Sequence, residues 1–129
     1  MNHRSSPLRW LRFIPVVLWM AWIFWLSSQQ ALPPPPGLSY TVAAIAGHFA
    51  LYTVLTALLI FGIAGIRAPD SRTLLVAAAV AFVYAVSDEF HQSFVPGRDS
   101  SVFDLLVDSA GILAMIVIWT FGWRKIAIS

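Results

Sequence analysis

Read for where apolar residues run and where polar residues interrupt them, the chain divides into four long apolar stretches, at about 10–28, 41–66, 72–94 and 102–123. Each is close to the roughly 20 residues that a helix rising about 1.5 Å per residue needs to cross a hydrocarbon layer about 30 Å thick. The expected architecture is an all-α membrane protein, a bundle of four transmembrane helices. The strictly apolar part of the first stretch is short, but Arg9 and Arg12 can run their stems along the helix and hold their charges among the head groups. The third is continuous only if the polar patch Ser87 to Gln92 lies inside it, and the fourth carries Asp104 and Asp108. Between the first two, Pro33 to Pro36 cannot continue a helix and favour an extended segment, which makes 29–40 a loop.

Composition agrees with the pattern: 59% of residues are hydrophobic and 11% charged. A chain of 129 residues reads as one domain, 1–129, with no room for a soluble catalytic module beside four spans. Any chemistry is built on the helices. The absence of cysteine excludes disulfides, thiolate metal sites and thiol nucleophiles, and no basic run points to nucleic acid. A cleaved signal peptide is the competing reading of the first stretch. Trp19, Trp22 and Trp25 are bulky for a signal core, and Ser28-Gln29-Gln30-Ala31 is a poor cleavage site.

Charge placement sets the expected orientation. Arg4, Arg9, Arg12, Arg67, Arg72, Arg124 and Lys125 fall on one side and only Arg98 on the other. The positive-inside rule then puts both termini in the cytoplasm of a bacterial-type inner membrane. Trp10 and Trp123 fall at the expected inner boundary and Trp25 near the outer one, the usual level for tryptophan.

Following each helix in its direction brings His48, the Asp88 to Gln92 segment, Asp104 and Asp108 to one depth, with His48 and Asp108 each about 10 Å below the outer boundary. Helical spacing puts Tyr84, Asp88, His91 and Gln92 on one face, Asp104, Asp108 and Gly111 on another, and His48 four residues from Tyr52. Glu89, turned about 100° from Asp88, is expected to face the boundary. Gly111 would let a neighbouring helix approach closely. Counting Asp88, Glu89, Asp99, Asp104 and Asp108 against Arg98 leaves a net −4 at this level. Ionisable groups at membrane depth cost a few kcal/mol each, roughly, so such a group calls for trapped protons, a bound metal or a cationic ligand.

The run Asp88-Glu89-Phe90-His91-Gln92-Ser93-Phe94-Val95-Pro96-Gly97-Arg98, followed by Asp104 and Gly111, resembles the signature of VanZ-like membrane proteins. Ser27-Ser28-Gln29, His48-Phe49 and Tyr52 look like the same family's pattern, so the resemblance covers nearly the whole chain. It departs at Asp108, Ile45 and Met115, where the family tends to have asparagine, lysine and glycine. A lost lysine and a gained aspartate make this cluster two charges more negative than the family pattern. The family takes its name from an accessory factor in teicoplanin resistance, so the resemblance implies an envelope role and supplies no reaction.

Four functional readings stay open. In the binding reading, an outward-facing pocket takes an envelope lipid or a glycopeptide, with Tyr52, Tyr84 and Phe94 as walls and Arg98 and Gln92 as donors; Gln29, His48, Asp88, Glu89, Asp104 and Asp108 complete the candidate set. An anionic lipid phosphate would fit only if protons or a divalent metal offset the −4. In the hydrolytic reading, His48, Asp88, His91, Asp104 and Asp108 hold a divalent metal that activates water against a lipid-linked substrate, with His48, Asp88, Glu89 and Asp104 as catalytic candidates. In the structural reading, Arg98 pairs with Asp104 or Asp88, and His48 bonds Tyr84 or Asp108. A proton-coupled transporter would need an oligomer, since four short spans leave little room for alternating access. Asp70 and Asp99 are expected to be solvated loop charges.

Overall fold

A computed structural model describes residues 7–31 and 33–128, with the side chains of 7 and 123–128 excepted. Arg4 lies outside the described residues, as do the side chains of Trp123, Arg124 and Lys125. A 3-10 segment, Pro7–Phe13, leads into α1 (Ile14–Ser27), followed by α2 (Tyr40–Ala64), α3 (Ser71–Gln92) and α4 (Val102–Ile128). Four stretches, Leu8–Ser27, Tyr40–Ala64, Ser71–Gln92 and Val102–Gly122, are long and apolar enough to cross a membrane. There is no strand among the described residues.

The ends of these elements have local causes. Pro15, in the first turn of α1, has no N–H to donate to the turn before it, and that turn winds as a tighter 3-10 segment. Ser39 caps α2 by accepting the Val42 N–H, and Asp70 caps α3 by accepting the Thr73 N–H at 2.7 Å. Gly65, at φ +67°, ends α2 two residues earlier than the hydropathy pattern predicts. The Arg12 side chain occupies the space a Cβ on Gly65 would take.

The bundle is apolar on its outside as well as in its core, where Ile23, Leu55 and Ile60 are buried, and it holds polar groups inside. Leu18, Leu75, Val83, Phe90, Leu106 and Leu113 are exposed, whereas Thr56, Asp88, Glu89, Gln92 and Asp108 are buried. Lipid is the solvent that suits such a surface, and the chain is a multi-pass integral membrane protein. Helix α2 touches every other helix, while α1 packs on α2 and α3 and makes no contact with α4 among the described residues. Small residues allow the closest approaches. Ala77, Ala81 and Ala85 form the buried stripe of α3, and Gly111 of α4 lies against the Phe49 carbonyl of α2. Polar bonds add to the packing: Trp19 Nε1 donates to the Leu51 carbonyl at 3.0 Å, Tyr84 Oη to the Met20 carbonyl at 2.6 Å, and Thr53 Oγ1 to the Gly111 carbonyl at 3.1 Å.

Candidate functional site

The buried stripe of α3 continues past Ala85 into Asp88 and Gln92, with Glu89 buried beside them. Because α3 packs against both α2 and α4, with Asp88 bonded to α2 and Glu89 to the residue before α4, its buried arc is wide enough to enclose two adjacent carboxylates. Glu89 is therefore 6% exposed and turned inward, which corrects the expectation that it faces the boundary.

The two carboxylates serve different neighbours. Asp88 Oδ2 accepts from Tyr52 Oη at 3.3 Å and from Gln92 Nε2 at 3.2 Å. Gln92 Nε2 also reaches Ser27 Oγ of α1 at 3.5 Å, and its Oε1 accepts from Arg98 Nη2 at 2.8 Å. That network joins three helices and the loop after α3. Glu89 Oε2 instead accepts the Ser101 N–H at 2.9 Å, and Ser101 Oγ caps α4 by accepting the N–H groups of Phe103 and Asp104. His48 Nδ1 donates to Asp108 Oδ1 at 3.0 Å, the only ion-pair geometry among the described residues. His48, Glu89 and Asp104 each bring one ligand-type atom within 4.8 Å of the others.

Beside this group lies a cavity of about 610 Å³ between the start of α2, the end of α3, the loop leading to α4 and the proline loop. Its polar wall includes His48, Tyr52, Asp88, Gln92, Arg98 and Asp104, and Leu26, Ala44, Leu51 and Phe103 stand on its apolar side. Arg98 meets the neutral Gln92 rather than the Asp104 or Asp88 of the structural reading, and of the two partners considered for His48 it is Asp108 that pairs with it.

Other members of the candidate set point elsewhere. Tyr84 bonds the α1 backbone and lines a separate cavity of about 350 Å³, so it is not a wall of the larger one. Phe94 is 71% exposed and packs edge-on against Phe90. Gln29, just past the end of α1, bonds back to the carbonyl of Trp25 in that helix. His91 stacks on Phe24 with its Nε2 3.0 Å from Ser28 Oγ, facing α1 and away from His48. Asp70 is exposed but acts as the α3 cap, a role beyond that of a solvated loop charge. Asp99 is exposed at the cavity rim. Ser101 was missed in the sequence, although Ser101-Val102-Phe103-Asp104 has the spacing of a helix-start motif. Thr53, four residues after Phe49 and bonded to α4, carried no such signal.

Neither the curated proteins nor the solved structures provide a match to this chain. A family model described as VanZ/LLP1 matches residues 7–123, from the 3-10 segment through the membrane part of α4. That stretch takes in α1, α2, α3, most of α4 and every residue of the cavity wall, and the chain belongs to the VanZ/LLP1 family.

Proposed function

We propose that this protein is an envelope receptor of the bacterial cytoplasmic membrane, with both termini inside, holding an amphipathic envelope component in its outward-facing cavity. The observation that carries the reading is the pairing of a cavity of about 610 Å³ with an ionisable wall on one side and an apolar wall on the other. That volume lies in the range of roughly 300–1,000 Å³ common for ligand pockets. Arg98 donates one bond to a neutral amide and keeps further N–H groups for an anionic or carbonyl-bearing head group, while Leu26, Leu51 and Phe103 suit an acyl or prenyl chain. Glycopeptide susceptibility, which the family's name implies, would follow if the occupied cavity changes what reaches the outer surface.

The test is a melting and fluorescence titration of protein in lipid nanodiscs with two probes, a polyprenyl phosphate and teicoplanin. The expected result is saturable stabilisation by at least one of them, lost in Arg98→Ala. No response to either probe, or an equal response in Arg98→Ala, refutes the reading.

The close approach of His48, Glu89 and Asp104 favours a second reading, metal-assisted hydrolysis of a lipid-linked substrate. Turnover of a polyprenyl diphosphate that stops on chelation is its signature.

A further inference from the structure

Three buried side-chain atoms lack a hydrogen-bond partner among the described residues, and two of them belong to this one cluster: Glu89 Oε1 and Asp108 Oδ2. A buried carboxylate oxygen with no donor is costly, because the interior does not replace the water it has lost. Glu89 is buried near the end of α3, which packs against both α2 and α4. Its Oε2 is held by the Ser101 N–H, which leaves the orphaned Oε1 as the atom free for a ligand. His48 is fixed in the same manner. Its Nδ1 is taken by the fully buried Asp108, which leaves Nε2. A carboxylate bonded to the far nitrogen of a histidine is the arrangement that orients metal-bound imidazoles and raises their basicity.

From this geometry we infer that His48, Glu89 and Asp104 form a divalent-cation site, with Asp108 as its positioning residue. One imidazole nitrogen and two carboxylates, with no thiolate, suit zinc or manganese. One ligand-type atom from each of the three residues lies within 4.8 Å of the other two. A tetrahedral ion with bonds of about 2.0–2.2 Å draws its ligands to about 3.4 Å, so the site closes by roughly an ångström on loading. Asp104, half-buried in the first turn of α4, can supply that movement by rotating its side chain. Asp88 is engaged by Tyr52 and Gln92, and His91 faces α1, so neither is a ligand. Three protein donors leave at least one coordination position for a small ligand, and His48 and Asp104 both line the large cavity. A doubly charged ion there also halves the net −4 of the cluster and puts positive charge on the same cavity wall as Arg98.

The cation site stands apart from the receptor reading, since the ion can bind whether or not an envelope component does. The test uses full-length protein purified in detergent, stripped with chelator, loaded with zinc or manganese alone, desalted and assayed for metal content. Wild type is expected to keep one equivalent of at least one of the two ions, Asp99→Asn to do the same, and Asp104→Asn to keep none. Asp108→Asn should bind about 10- to 100-fold more weakly. A measurement that needs no variant is the visible spectrum of wild type with cobalt(II), where intense bands of a four- or five-coordinate ion are expected. Wild type that retains no ion, a monodisperse Asp104→Asn that keeps a full equivalent, or the weak spectrum of solvated cobalt overturns the inference. Metal retained while neither polyprenyl phosphate nor teicoplanin binds would remove the receptor reading alone, and probe binding by protein that takes up no metal would remove the cation site alone.

Discussion

The tightest helix crossing gives a sharp test of how packing supports the site. A Cβ built on Gly111 would lie 2.5 Å from the Phe49 carbonyl oxygen and 2.9 Å from Thr53 Oγ1. Gly111→Ala therefore forces α2 and α4 apart by about an ångström, at the roughly 1–3 kcal/mol typical of an overpacked interior. It also strains the Thr53 to Gly111 bond, worth about 0.6–1.7 kcal/mol in a membrane. The sum is a loss of about 2–5 kcal/mol, larger than the gain of about 1 kcal/mol that alanine offers over glycine in a helix. Gly47 and Gly122 serve as controls, because nothing lies within 4 Å of a Cβ at either. Alanine there should be neutral or slightly stabilising. The assay is reversible unfolding of detergent-solubilised protein in mixed micelles, read by tryptophan fluorescence. The damage should spread to the site, since His48 precedes Phe49 and Asp108 stands three residues before Gly111. Metal retention should fall with stability. A Gly111→Ala protein as stable as Gly47→Ala would refute this account of the α2–α4 crossing.

Four further outcomes are expected. Asp88→Asn, Arg98→Ala and Asp104→Asn should abolish any envelope phenotype at normal membrane levels, whereas Asp70→Asn, which preserves the cap, should not; equal phenotypes across all four would sink the functional cluster. Asp70 is exposed, and its bonds to Thr73 hold its carboxyl below the ordinary 3.8, so its capping contribution is present above that value and lost as pH falls through the lower folded value. Amide exchange at the start of α3 should accordingly rise in acid, and Asp70→Ala should remove that pH dependence. With no native cysteine, an impermeant maleimide added to intact cells should label Asp99→Cys and spare Arg67→Cys; the reverse pattern inverts the proposed orientation. Polyprenyl phosphate affinity should rise at low pH or with divalent metal, and an affinity constant under both changes would contradict the electrostatic argument.

The spans were legible because a membrane imposes one dominant rule, a run of about 20 apolar residues, and α2, α3 and α4 obey it nearly to their ends. The gathering of His48, Asp88, Asp104 and Asp108 at one end was legible for the same reason, since depth follows from counting residues along straight helices. What periodicity could not supply was the identity of the neighbour at each angle. Tyr84 shares a face with Asp88, yet its hydroxyl donates to the Met20 carbonyl of α1. His91 is three residues beyond Asp88 and meets Phe24 instead of His48. Glu89 was placed at the boundary because a helical wheel knows one partner helix at a time, whereas α3 is wedged between two. The 3-10 start of the first span depends on a single proline that hydropathy does not register.

The His48–Asp108 pair joins residues 60 positions apart, on α2 and α4. A ribosome adding roughly 5–20 residues per second needs about 3–12 seconds to cover that interval. Through that interval His48 has no Asp108 to pair with, and Asp88 and Glu89 join it in waiting only over the last third. Synthesis order thus makes α4 the closing piece of the site, and the nascent chain must shelter its polar residues at the insertion machinery or in water until that helix arrives.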